Sequence, residues 1–132
     1  MLRLISTLCL ALLASCATPH ARVSNPVPVS REHSALNDAL ARSAPLLRPG
    51  VTVQLYLVDL DHVSRLGETE SDGCGNFIVR IDPDLDQDLQ VATWIHELAH
   101  VLSWQAGSRF AGSHGAAWGV AYSEVYSYLV EL

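Results

Sequence analysis

The chain has 132 residues, 49% of them apolar and 17% charged, which suits one small domain with a modest core. Fourteen acidic residues stand against eight basic ones, all arginine, for a formal net charge of −6. That balance excludes the basic footprint of a nucleic-acid binder, and no basic run is present to fix the chain to an anionic membrane by charge.

The first element is a leader, MLRLISTLCLALLASC. Arg3 supplies a positive start, and Leu4 to Leu13 form an apolar run far shorter than the roughly twenty residues that span a bilayer as a helix. Its end, Leu13-Ala14-Ser15-Cys16, resembles the bacterial lipobox: a large aliphatic residue, two small ones, then the cysteine that is lipidated. The resemblance implies a signal peptide over residues 1–15, a lipid on Cys16 and anchoring in the cell envelope. Ala17 in the next place implies the outer membrane or a periplasm-facing position. An ordinary secretory signal with an incidental cysteine is the alternative reading. With Cys9 removed and Cys16 lipidated, Cys74 is expected to be unpaired and to pack as a small residue near a turn.

Residues 16–29 hold three prolines and several small polar residues without periodicity, and read as an extended tether that includes His20. The folded domain is expected over 30–132. Ser30 can cap a helix through REHSALNDALARSA, with Leu36, Ala39 and Leu40 as its apolar stripe, His33 at its surface and Pro45 at its end. VTVQLYLV alternates with period two and reads as a strand. A second strand is expected from His62 to Glu68, then a turn at Ser71-Asp72-Gly73. A third strand follows in NFIVRID, with Phe77, Val79 and Ile81 on one face. Asp84, Asp86 and Asp88 offer a cap for a helix reaching about Gln105, and their spacing lacks the glycine and distal glutamate of a calcium loop. After a loop with Gly107 and Gly112, Ser113 is expected to cap a last helix. The expected fold is α+β: about three strands packed on an N-terminal helix, a central helix and a C-terminal helix.

The central helix carries WIHELAHVLSW. Residues four apart share a helix face, so His96 and His100 can present imidazole nitrogens to one ion. Glu97 is rotated by roughly 100° from His96, beside the ion rather than on it, where a general base belongs. The surrounding Ile95, Leu98, Ala99 and Leu102 make two unpartnered imidazoles costly.

A catalytic zinc takes three protein ligands. The metzincin continuation needs glycine at 103 and histidine at 106, where this chain has Ser103 and Ala106, and there is no methionine besides Met1 for a Met-turn. Two third ligands stay open. His114 can fold back across the loop; Glu124, mid-helix, would complete a His-His-Glu set of the thermolysin type. His96-Glu97-Leu98-Ala99-His100 followed by His114-Gly115-Ala116-Ala117-Trp118 resembles the SprT-like group of small zincins over roughly residues 75–125. That resemblance implies a minimal zincin fold, one zinc ion and His114 as third ligand. The acidic charge and the leader set this chain apart from the group's nucleic-acid-acting members.

The function expected is a zinc metallopeptidase hydrolysing peptide bonds in an extracytoplasmic protein or peptide, tethered to the membrane through Cys16. Tyr122, or Arg109 in the loop, is the candidate stabiliser of a developing oxyanion. Glu124 or Asp82 can orient a ligand histidine. Trp94, Trp104 and Trp118 are expected to pack in the core or its rim. NFIVRID is the candidate edge strand for pairing with an extended substrate. The alternative is a non-catalytic zinc-binding or structural envelope lipoprotein, which has no use for Glu97.

Overall fold

The computed structural model describes residues 22–24, 31–105 and 113–131. The expected leader, Cys9, Cys16, His20, Ser30, Gly107, Arg109 and Gly112 lie outside the described residues.

The two alternating segments form the centre of the sheet. Strands β2 (Thr52–Leu57) and β4 (Asn76–Ile81) pair in parallel, with Val53 opposite Phe77, Leu55 opposite Val79 and Leu57 opposite Ile81. Val53, Leu55, Phe77, Val79 and Ile81 are all buried on one face, each contributing roughly 1.5–3 kcal/mol of apolar burial. Strand β3 (Gly67–Ser71) runs antiparallel to β4, and the short β1 (Arg22–Ser24) lies parallel to the other side of β2. The order is therefore β1-β2-β4-β3. The hairpin between β3 and β4 turns where expected: the Asp72 carboxylate accepts from the amides of Cys74 and Asn76, while Gly73 and Gly75 take positive φ.

Three expectations change here. The second strand begins at Gly67 rather than His62, which sits in a 3-10 turn, Asp61–Val63. β1 falls within the stretch read as tether. β4 is an interior strand, not the sheet edge; the edge beside the central helix is β3.

Helix α1 (Ser34–Ser43) follows a 3-10 turn at Arg31–His33, so His33 rather than Ser30 stands at its cap position. Leu36, Ala39 and Leu40 are its buried stripe, as expected. His33 is half-buried rather than a surface residue: its Nδ1 lies 3.1 Å from Gln90 Oε1. Helix α2 (Gln87–Ser103) begins where Asp86 accepts the Leu89 amide at 2.8 Å, the expected acidic cap. At its far end Arg48 donates to the carbonyls of Leu102 and Trp104, at 2.8 and 3.1 Å. Trp94, fully buried, donates its indole N–H to Ser43 Oγ at 2.9 Å and so locks α2 to α1. Trp104 packs edge-on against Phe77, with ring centroids 5.2 Å apart. Helix α3 (Ala116–Val130) buries Ala121, Val125 and Leu129 against α2. It starts after Gly115 with no side-chain cap, so the expected cap at Ser113 does not form. The architecture is α+β, with a small mixed sheet and three helices. Among the described residues no helix is long and apolar enough to cross a membrane.

Candidate metal centre

One turn of α2 brings the His96 and His100 rings to a centroid separation of 5.2 Å. The segment leading into α3 then delivers His114, with ring centroids 4.8 Å from His96 and 5.0 Å from His100. One ring nitrogen from each of the three lies within 4.8 Å of the others, and the Nε2 atoms of His96 and His114 are 2.9 Å apart. A tetrahedral zinc with bonds of about 2.0–2.1 Å sets its ligand nitrogens roughly 3.3 Å apart. The triad therefore fits such an ion with small ring movements, and three imidazoles are a donor set that zinc favours. Burial and the nearby His114 both push the proton affinity of His96 below its ordinary value, which favours the neutral, ligating form.

Trp118 closes one side of the triad. Its ring centroid lies 4.6 Å from His114, 4.9 Å from His96 and 5.8 Å from His100, and its indole N–H donates to the His96 carbonyl at 3.4 Å. Tyr122 and Tyr126 continue the aromatic ladder along α3, the first stacked on Trp118 at 5.0 Å.

Glu97 is buried, at 5% exposure, and shares with His96 a cleft of about 410 Å³. Thr69 Oγ1 donates to its Oε2 at 2.6 Å. Loss of water raises the carboxyl pKa above its ordinary value, and the Thr69 bond draws it partly back; Glu68 adds a smaller push upward and Arg65 a smaller pull down. The approach of β3 to α2 that makes the Thr69 bond depends on Gly67. A Cβ there would stand 2.6 Å from Thr93 Cγ2 and 3.0 Å from Glu97 Oε1, so any larger residue displaces Thr93, Glu97 or the strand.

The other candidates separate clearly. Tyr122 lines the same cleft as His96 and Glu97. Glu124 is exposed and lines a different hollow, with Arg48, Leu102 and Trp104. Two residues on a helix turn the chain by about 200°, so Glu124 and Tyr122 cannot share a face. Asp82 is buried and accepts a backbone amide on each oxygen, Leu60 at 3.0 Å and Asp84 at 2.9 Å, in a turn of its own. Cys74 is disulfide-bonded, contrary to the expectation of an unpaired cysteine. That expectation depends on Cys9 and Cys16 being lost to cleavage and lipid, and both lie outside the described residues. Thr69 and Gly67 are site residues that the sequence does not single out. The alternation in GETES, which places Gly67, Thr69 and Ser71 on one side, is the available signal. Comparison with protein-family models, curated proteins and solved structures finds no match to this chain.

Proposed function

We propose that the chain is a zinc-dependent peptidase of the zincin kind, similar to the SprT-like group, that hydrolyses peptide bonds in a protein or peptide outside the cytoplasm. The observation that carries this reading is the pairing of two features in one cleft: three convergent imidazoles, and a buried carboxylate held beside them by a hydroxyl. A storage or structural site gives no reason to bury Glu97 at the edge of an open cleft.

His96, His100 and His114 would hold the ion. Zinc, when bound, would supply Lewis acidity, lowering the pKa of water to about 7 and polarising a carbonyl. Glu97 takes the proton of the attacking water at Oε1 and returns it to the nitrogen of the leaving amine. Thr69 holds Oε2 and so keeps Oε1 turned to the cleft. Trp118 would cover the triad on one side. Among the described residues Tyr122, on the cleft wall, would be the donor to a developing oxyanion. The outer edge of β3, which has no strand beside it among the described residues, offers main-chain pairing to an extended peptide.

Export suits a disulfide at Cys74, since such bonds persist outside the reducing cytosol. One sulfur cannot hold both a thioether-linked lipid and a disulfide. Lipid anchoring through Cys16 therefore requires that Cys74 be bonded elsewhere, and the intact mass of the processed protein reads this directly.

The test is zinc analysis beside a peptide-hydrolysis assay on wild type and Glu97→Gln. The expected result is one zinc per chain in both proteins and hydrolysis in the wild type alone. Wild-type protein without zinc, or hydrolysis that survives the substitution, overturns the reading.

A further inference from the structure

A metal-bound histidine is ordinarily held in line by a carboxylate, carbonyl or water on its far ring nitrogen. Among the described residues, neither His96 nor His114 is bonded to a carboxylate. His114 most needs support. It is exposed and precedes α3, whose first residue is Ala116. Among the described residues its ring meets those of His96, His100 and Trp118. Trp118, half-buried on the first turn of α3, is the one aromatic ring outside the triad that lies against all three imidazoles. Its plane stands at 76° to that of His114, 59° to His96 and 42° to His100, so a tilt of any of the three changes its contact with the indole. The indole N–H reaches the His96 carbonyl at 3.4 Å and ties α3 to the turn of α2 that carries two of the imidazoles. Tyr122 backs the indole, stacked at 28°.

We propose that Trp118 is a positioning residue for the metal: its ring sets the tilt of His96 and His114 by packing, the task that a hydrogen-bonded carboxylate performs elsewhere. The proposal rests on the zinc of the peptidase reading and not on the hydrolysis. Ring shape is then what matters at 118. A phenyl ring still meets the imidazoles edge-on, whereas an aliphatic side chain leaves them free to turn. An imidazole that turns away gives up its place on the ion to water, so the loss appears in affinity and in coordination geometry together. The next ring of the ladder, Tyr126, stacks on Tyr122 at 6.2 Å and does not reach the triad. It shares the helix with Trp118 and has no part in the positioning.

The experiment compares wild type, Trp118→Phe, Trp118→Leu and Tyr126→Ala. Chelator competition gives the zinc affinity, and the visible absorption of the cobalt(II)-loaded proteins gives the coordination geometry. Trp118→Leu is expected to bind zinc about 10- to 100-fold more weakly than wild type, with the intense bands of four-coordinate cobalt reduced. Trp118→Phe is expected to recover most of both, and Tyr126→Ala to match wild type. Circular dichroism confirms that each variant folds, and Trp118→Met serves where Trp118→Leu does not. Unchanged affinity and spectrum in the aliphatic variant overturn the positioning role. So do an equal loss in Tyr126→Ala, a phenyl ring that restores nothing, or a wild type that binds no metal. The two claims fail separately. The expected metal series without wild-type cleavage of peptides removes the peptidase reading and leaves the positioning role; cleavage with unchanged affinity in the aliphatic variant does the reverse.

Discussion

Two carboxylates in this fold are almost equally buried, Asp82 at 4% and Glu97 at 5% exposure, and they are built in opposite ways. Asp82 accepts a backbone amide on each oxygen, and those bonds hold its pKa below the ordinary value despite burial. Glu97 has a single side-chain partner among the described residues, the Thr69 hydroxyl, and desolvation carries its pKa above the ordinary value. The same contrast separates their neighbours. Asp82 has its carboxylate within 4.8 Å of those of Asp59 and Asp61, as close as the nitrogens of the three histidines are to one another. Yet Asp59 and Asp61 are exposed, and Asp59 Oδ1 accepts the Asp61 amide at 2.9 Å. Proximity of ligand atoms is thus a weak criterion. What distinguishes the histidine cluster is a neighbouring buried carboxylate whose side-chain partner among the described residues is one hydroxyl, Thr69, on Oε2.

The sharpest break between the two carboxylates is catalytic. Glu97→Gln is expected to lower peptide hydrolysis by ~100- to 10,000-fold with zinc content unchanged, measured by metal analysis and initial rates. Asp82→Asn is expected to leave the rate per zinc unchanged. For the metal, His114→Ala is expected to lose stoichiometric zinc, whereas Glu124→Ala and the Asp59→Asn/Asp61→Asn pair retain one zinc per chain. Loss of zinc in Glu124→Ala would move the third ligand. A smaller effect is expected at the hydroxyl. Thr69→Val is predicted to lower kcat by about 10-fold with KM and zinc affinity little changed, and Thr69→Ser to restore most of it.

The smallest effects are in stability, and their signs are opposite. The folded-state pKa of Asp82 lies below its unfolded value. Its contribution is therefore present above the unfolded pKa and lost as pH falls through the folded one. The folded-state pKa of Glu97 lies above its unfolded value. Its protonated form is tolerated at low pH, and stability is lost as pH rises from the unfolded pKa through the folded one. In metal-free protein at pH 7, Glu97→Gln is therefore expected to raise the melting temperature and Asp82→Ala to lower it, by thermal denaturation. Replacing Asp82 also strands the amide of Leu60, which is buried.

Much of the fold and site is legible where the signal is local. Four-residue spacing puts His96 and His100 on one face of α2, period-two alternation marks β2 and β4, and Asp86 announces a cap. His114 is harder to place, because its approach to His96 depends on a chain reversal and not on a period; the likeness to a family pattern supplies it. The start of β3 is hidden for a physical reason. Its inward residues, Gly67, Thr69 and Ser71, are small or polar because α2 passes close, so the strand carries no hydrophobic alternation. The order β1-β2-β4-β3 depends on long-range pairing, and with it go the identity of the edge strand and the partner of Glu97. The commitment of Asp82 to its own turn likewise exists only once the turn has formed.

X-ray absorption at the zinc edge, on protein loaded with one equivalent of metal, tests the central claim most directly. The account predicts three histidine nitrogens at about 2.0–2.1 Å and a shell not filled by the protein alone. A shell of carboxylate oxygens, or one containing sulfur from Cys74, would contradict it.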